Sequence, residues 1–421
     1  MVKMMEIKQK FSSEKLSSVE QKVQEEVLKN LSVSQLPPSA DIAITAGSRG
    51  ITNIVAILKA TVDTLNSMGF NPFLVPAMGS HGGATKEGQL EVLKHLGITE
   101  NSVGAPIRSS METQFVGTTP NGKPVYMDEI AFQADGIIVV NRVKAHTAFR
   151  GNVESGLSKM VTIGLGKRKG ASFVHSDGAL QMAENIESVS KYALENTNIL
   201  MGLAIIENGY DETADIVAIN KSEWHQKEAE LLKWSKKMMP QLPIEDIDLL
   251  IVEEMGKSFS GTGMDPNIIG RWRINGVPEP TKPRISKIAV LDLNDASFGN
   301  AQGVGLADFT TKRLFNKIDK KSTYTNALTS TYLQRAMIPL IYESEKETIE
   351  TAIQSLGPDK DINDSKVVQI PNTLHLSNIF VSQAVLKQME DDQVCFEILG
   401  EHELSHDENG NLAKKITVHS Y

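Results

Sequence analysis

Gly136-Ile-Ile-Val-Val140, followed closely by Lys144-Ala-His-Thr-Ala-Phe-Arg-Gly-Asn-Val-Glu-Ser-Gly-Leu-Ser-Lys159, organises the reading of this chain. A short apolar run rich in Ile and Val reads as a strand buried on both faces, as in a parallel sheet. His146 should then emerge at the strand's carboxyl end, where open α/β sheets build their sites. With Lys159 and, further on, His175, one loop–helix–loop segment offers an acid/base group, a covalent anchor and a metal ligand.

The same rhythm extends to either side. Ile42–Ala46, Phe73–Ala77 and Leu200–Ile206 read as further strands, with helices expected over Ile51–Met68 and Glu87–Leu96. It pauses at a charged helix, Trp224–Met239, followed at once by Pro240-Gln-Leu-Pro243. It resumes at Ile247–Glu253, Ile288–Leu293 and Ala336–Tyr342. The expected fold is therefore two α/β domains with mostly parallel, Rossmann-like sheets and an interdomain cleft. Residues 1–244 would form the first domain and 245–392 the second. Residues 393–421 would be a tail hairpin, turning at Asp407-Glu-Asn-Gly-Asn411 and packing back on the first domain.

Composition removes several classes. A chain of 421 residues exceeds one ordinary core. A net charge of −9 argues against nucleic acid or an anionic membrane as the main partner. The single cysteine, Cys395, excludes an intramolecular disulfide framework and fits a reducing compartment. MVKMMEIKQKF lacks the apolar core of a secretory signal, and no apolar run is long enough to span a bilayer. A soluble, cytoplasmic protein is expected.

Two more Gly-rich loops follow expected strands: Thr45-Ala-Gly-Ser-Arg49 and Met78-Gly-Ser-His81-Gly-Gly-Ala-Thr85. If the strands run parallel, Arg49, His81, His146 and Lys159 converge at one sheet edge. Arg49 suits a carboxylate, because its guanidinium stays charged and grips two oxygens at once. The run Glu154–Lys169 invites a phosphate reading, yet both standard patterns fail. Val161 and Arg168 break the Walker spacing, and Lys169 occupies the last Rossmann glycine's place. His402-Glu-Leu-Ser-His406 is a literal zinc-protease motif, but its flanks are strand-like. An extended backbone would hold the two imidazoles roughly 13 Å apart. In the second domain, Met255–Arg273 brings Lys257, Arg271 and Arg273, cations able to close on an acidic ligand. Its other reading is a capped turn at Asp265 and Asn267 that starts a surface helix.

Taken together, the Arg49 loop, the His81 loop, His146, Lys159, His175 and Asp265-Pro-Asn267 resemble the nickel-dependent lactate racemase family of 2-hydroxyacid racemases and epimerases. The resemblance implies a nickel-pincer nucleotide, a pyridinium mononucleotide with two sulfur-bearing arms and a nickel–carbon bond. It implies that Lys159 is acylated by one arm, that His175 ligates Ni(II), and that His81 and His146 are the acid/base pair. It further implies that Arg49, with Arg271 or Arg273, holds the carboxylate of a small 2-hydroxy acid. Lys257 is a further candidate on that side, and Ser48, Glu154 and Ser155 are candidate cofactor contacts. Enzymes that build the cofactor would be partners. Three departures stand out: Ala46 where lactate racemases carry an acid, a longer His146–Lys159 interval, and Arg273 in place of a lysine. They point to a larger or more acidic hydroxyacid, such as a sugar acid or malate. The competing expectations are a nucleotide-dependent transferase or ligase using the Gly/Lys-rich run, and a non-catalytic cofactor carrier.

Overall fold

The computed structural model describes residues 2–32, 36–358, 360 and 364–417. Fifteen strands run along the chain: β1 (Lys3–Gln9), β2 (Asp41–Ala46), β3 (Asn71–Pro76), β4 (Thr113–Thr118), β5 (Pro124–Asp128), β6 (Gly136–Arg142), β7 (Ile199–Glu207), β8 (Thr213–Asn220), β9 (Asp246–Val252), β10 (Arg284–Val290), β11 (Phe309–Thr311), β12 (Leu340–Tyr342), β13 (Val367–Ile370), β14 (Asn378–Ser382) and β15 (Phe396–Glu403). The fold is mixed α/β, divided into two units: Ser12–Met239, and Met1–Phe11 together with Pro240–Tyr421.

In the unit Ser12–Met239 the sheet order is β3-β2-β6-β7-β8. The first four strands are parallel and β8 closes the edge antiparallel to β7. Ile42 and Ile44 of β2 join one hydrophobic cluster, while Ala43 between them joins the cluster on the other face. β6 alternates likewise, Ile137 and Val139 on one side, Ile138 and Val140 on the other. Two buried faces explain why these strands read as unbroken apolar runs. The helix Ile54–Ser67 buries Ile54, Ile57, Leu58, Thr61, Val62 and Leu65, the three–four spacing of a helix with one core-facing stripe.

The other unit carries an eight-stranded sheet, ordered β12-β11-β10-β9-β13-β14-β1-β15. β12 to β13 run parallel, and β14, β1 and β15 extend the sheet antiparallel. Here too the strands have two buried faces: Leu250 and Val252 point into one cluster, Leu249 and Ile251 into the other.

Several expectations need correcting. The division falls between Met239 and Pro240 rather than at residue 244, and the first residues of the chain join the C-terminal unit. The tail belongs to the C-terminal unit and is not the expected hairpin. β15 pairs with β1 inside the eight-stranded sheet, and the Asn-Gly turn closes only an isolated bridge, His406 to Leu412. Residues 418–421 of that expected hairpin lie outside the described residues. Ala336–Tyr342 is not one strand, because a 3-10 turn occupies Leu333–Ala336 and only Leu340–Tyr342 is extended. The strands β8, β11, β13 and β14, the β4–β5 hairpin and β1 were not anticipated.

Candidate active site

The loops after β2, β3 and β6 leave the same edge of the sheet, because these strands are parallel and in register, Ala46 beside Pro76 and Ile44 beside Ile138. The chain continues from β2 to β3 on one side and from β6 to β7 on the other, so the crevice between β2 and β6 is the topological switch point. Arg49, His81 and His146 stand on these three loops.

Four of the expected residues act on one another electrostatically. His81 has its proton affinity lowered, first by the protein crowding its ring, then by the charge of Arg49, with Lys159 adding to the effect. The Lys159 amine is pushed down to about 8 by burial and by Arg49. His175 is lowered by burial and by Lys159. Arg49 is itself lowered by its surroundings and by Arg142, yet a guanidinium stays charged at neutral pH. The imidazoles of His81 and His175 remain open to solvent. A basin of cations and neutral imidazoles results, suited to an anionic ligand.

Local folding fixes each group. His81 follows the left-handed Gly79 and is anchored by its own backbone N–H to the Met78 carbonyl at 3.1 Å and by Nδ1 to the same oxygen at 2.8 Å. A Cβ on Gly82 would sit 2.4 Å from the backbone of Gly88, so only glycine permits this turn. His146 donates its backbone N–H to Glu154 Oε2 at 2.7 Å, its ring stacks on Phe149 with centroids 4.1 Å apart, and its Nδ1 accepts from the Ala148 N–H at 3.1 Å. Lys159 ends a short helical turn, Leu157–Lys159, that continues as a π-helical turn, Met160–Gly164, with Leu165 N–H bonded to the Met160 carbonyl at 2.8 Å. Such wide turns project side chains at unusual angles and recur at functional sites. His175 closes the helix Lys167–His175.

Behind the basin lies a support that sequence reasoning did not find. Glu228, from the helix Trp224–Met238, accepts from the Ser158 backbone N–H and hydroxyl, and Asn141 Nδ2 donates to the Gly156 carbonyl at 2.8 Å. Both brace the turn that bears Lys159. Burial lifts the Glu228 carboxyl to about 7 against these hydrogen bonds. Arg142 pairs with Glu207, which also accepts from the Thr52 N–H. Asn141 and Arg142 extend β6 beyond the apolar run, and their polarity at a strand's carboxyl end was the available signal.

The other candidates fare differently. Glu154 is enclosed, its carboxylate shared among His146 N–H, Lys236 and Arg150, so it supports the His146 loop. Ser155 exchanges backbone hydrogen bonds with Lys144, and Ser48 is half-buried beside Arg49. Arg271, Arg273 and Lys257 belong to the other unit. Both arginines grip Asp308, at 2.8 and 3.0 Å, and Lys257 Nζ donates to the Gly261 carbonyl. Asp265 does cap the turn Pro266–Ile269, but Pro266, Ile268 and Ile269 are buried, so no surface helix begins there.

In the Gly/Lys-rich run, Lys167 is not placed to meet a phosphate. The Lys167 side chain is fully enclosed, paired with Asp128 at 3.0 Å and donating to Gln89 Oε1 at 3.1 Å and to the Pro76 carbonyl. Its ammonium serves the core and is unavailable to a phosphate. His402 lies in β15 and His406 beyond its end, an extended backbone that rules out the helical zinc motif. Among the described residues no group of three or more His, Cys, Asp or Glu is placed to hold a metal on its own, and no helix is long and apolar enough to cross a membrane.

Comparison with known proteins agrees with this geometry. Residues 12–186, the stretch that carries the Arg49, His81, His146, Lys159 and His175 loops, match the lactate racemase N-terminal domain. Among solved structures, the lactate racemase apoprotein from Thermoanaerobacterium thermosaccharolyticum superposes with a TM-score of 0.52 at 14% sequence identity, covering 88% of this chain and 98% of that one. No curated protein matches the sequence significantly. At that identity the superposition speaks for the fold alone, and it is the stretch 12–186 that is similar to the lactate racemase N-terminal domain.

Proposed function

We propose that this chain interconverts the stereoisomers of a 2-hydroxy acid, with a nickel-pincer nucleotide tethered to Lys159. The observation that carries the reading is the mutual electrostatic influence of Arg49, His81, Lys159 and His175 at the carboxyl edge of a lactate racemase N-terminal domain.

The residues fit such a group. Attachment needs a nucleophilic amine, and Lys159, at about 8, has a far larger neutral fraction than an ordinary lysine. The protein offers the solvent-reachable imidazole of His175 near Lys159, and no metal cluster of its own among the described residues, which suits a metal whose remaining donors come with the cofactor. When bound, the cofactor supplies the acceptor for the substrate's α-hydrogen. Arg49 holds the carboxylate, and His81 and His146 handle the hydroxyl proton through a planar 2-keto acid. Arg271, Arg273 and Lys257 are weaker candidates for the carboxylate, since each already has a partner in its own unit. Ser48 is kept as a cofactor contact, and the enclosure of Glu154 favours a supporting role instead.

The test is co-expression with the cofactor-building enzymes, followed by intact mass, nickel analysis and chiral assay of hydroxyacids. A mass adduct and bound nickel are expected in the wild type, with the adduct absent from Lys159→Ala and from Lys159→Arg. His175→Ala should keep the adduct and lose nickel on dialysis. An adduct with nickel but no turnover on any hydroxyacid would favour the carrier reading. Full activity in Lys159→Ala would end the tether.

A further inference from the structure

The Lys159 amine makes no hydrogen bond or ion pair of its own among the described residues, so the backbone that carries it sets its direction. That backbone is held from beneath by Glu228. The helix Trp224–Met238 brings this side chain into the interior, and every partner of its carboxyl is a donor: the Ser158 N–H, at 3.1 Å to each oxygen, the Ser158 hydroxyl at 2.5 Å, and the Leu157 N–H. Among the described residues no cation pairs with it. A buried carboxylate without a cation costs the fold stability, and a neutral side chain of the same shape would cost less. The chain is nevertheless shaped to admit it. Gly156 has an extended backbone that any residue adopts, yet a Cβ there would stand 2.2 Å from Glu228 Oε1. A Cβ on Gly202 of β7 would meet Leu157 at 2.5 Å and the Trp224 ring at 2.9 Å. Trp224 Nε1–H donates to Ser158 Oγ at 3.1 Å, which leaves the hydroxyl hydrogen for Glu228. Strand, helix and turn thus converge on one peptide group, and the residue after it is Lys159.

We infer that Glu228 is a positioning residue for Lys159: by gripping the Ser158 peptide it keeps the next residue's amine turned into the basin, where the amine is reactive. The inference rests on the proposed acylation of Lys159 and on nothing about the hydroxyacid. Acylation joins Nζ to an acyl carbon, the bond from that carbon to its leaving group breaks with its electron pair, and the amine's extra proton goes to water. Only the neutral amine has the lone pair for this step, so whatever keeps Lys159 desolvated and beside Arg49 speeds it near neutral pH. Without the grip, the turn lets the amine reach water and its midpoint climbs toward 10.5. Loss of the Glu228 charge by itself acts in the opposite sense, since a nearby anion favours the ammonium. The sign of the change therefore separates a positioning residue from a charge partner.

The test is pulse acetylation of the whole apoprotein chain with acetic anhydride over a range of pH, read at Lys159 by peptide mass spectrometry. The wild type should reach half its limiting rate near pH 8. Glu228→Ala should raise that midpoint by about one pH unit or more. Glu228→Gln, which still presents an acceptor at the same reach, should hold it. Circular dichroism reports whether each variant folds. Should Glu228→Ala fail to fold, Glu228→Asp serves in its place, because it keeps the carboxylate but withdraws it by one carbon–carbon bond; its midpoint should also rise. An unmoved midpoint in folded Glu228→Ala or Glu228→Asp overturns the inference, and so does a midpoint that falls in Glu228→Gln. Co-expression with the cofactor-building enzymes gives a separate arm: the Lys159 adduct should be depleted severalfold in Glu228→Ala and kept in Glu228→Gln. A wild type without any adduct would overturn the tether and leave the labelling result to judge Glu228.

Discussion

Lys159 is the residue on which the chemistry turns, and its reactivity is set by two neighbours of unlike kind. Burial and the Arg49 charge both disfavour the ammonium, so the amine is half neutral near pH 8 instead of near 10.5. Acylation of the apoprotein by a mild amine reagent should therefore reach half its limiting rate at Lys159 near pH 8, while exposed lysines lag by about two pH units; peptide mass spectrometry after brief labelling reads this directly. Arg49→Met removes the like charge and should move the Lys159 midpoint upward. A midpoint that stays put would mean that burial alone sets it. His81 follows the same logic with the sign of a base: its lowered proton affinity keeps the ring neutral below the ordinary imidazole range, so the acid limb of turnover should fall below pH 6.5. Much of this residue set was legible in the sequence, because Gly-rich loops after apolar runs announce strand ends. What escaped was the support. Glu228 sits on a helix whose charged sequence looked like surface, and only the fold brings it under Ser158.

At the scale of elements, the site loops are stitched together from behind. Lys167, in the left-handed region at φ 52°, sends its ammonium between Asp128, Gln89 and the Pro76 carbonyl. Gln89 in turn donates to the Gly79 carbonyl at 3.0 Å, and Gly79 N–H reaches the Gly164 carbonyl at 3.2 Å. The His81 loop, the π-helical turn after Lys159 and the helix Lys86–His95 thus share one buried ion pair. Lys167→Met leaves Asp128 buried and unpaired and should cost roughly 3–5 kcal/mol in a denaturant titration. Lys167→Met with Asp128→Leu should recover most of that loss, because both charges are then gone. Glu228 adds a pH dependence. Its folded value, about 7, lies above the unfolded 4.5, so its contribution is fully present below pH 4.5 and is lost as pH rises through about 7. Relative to Glu228→Gln, the wild type should lose up to about 3 kcal/mol across that window. A difference that does not change with pH would refute the burial of this carboxyl. The sequence foresaw most helices and strands of this layer but gave no sign that Lys167 is buried. A glycine-flanked lysine looks the same whether its ammonium meets a phosphate or a buried aspartate.

Across the whole molecule, the parallel strands were legible wherever both faces are buried, since β2, β6 and β9 have no polar side to interrupt the run. The antiparallel additions were not. β1 and β15 carry lysines, glutamates and a glutamine at alternate positions, and nothing local says which sheet they join. β1 lies between β14 and β15, and its Met5 and Ile7 enter the core of the C-terminal unit. Removing residues 1–11 should therefore lower the thermal transition of the C-terminal unit and release β15, leaving the unit Ser12–Met239 comparatively unaffected. Calorimetry with hydrogen exchange on peptides 396–403 and 41–46 checks both halves. Equal protection of residues 396–403 with and without the deletion would contradict the pairing.

The placement of β1 also sets an order of events during synthesis. The unit Ser12–Met239 has all its residues once its last helix leaves the ribosome, and domains generally fold as units during synthesis. β1 is made long before its partners Asn378–Ser382 and Phe396–Glu403. For most of translation a strand bearing Met4, Met5 and Ile7 waits with both edges unpaired. Its charged Lys3, Glu6 and Lys8 keep that wait tolerable, since charge on an open edge discourages pairing with another nascent chain. The strand made ahead of the unit Ser12–Met239 is thus a clasp that closes only after β14 and β15 have followed it.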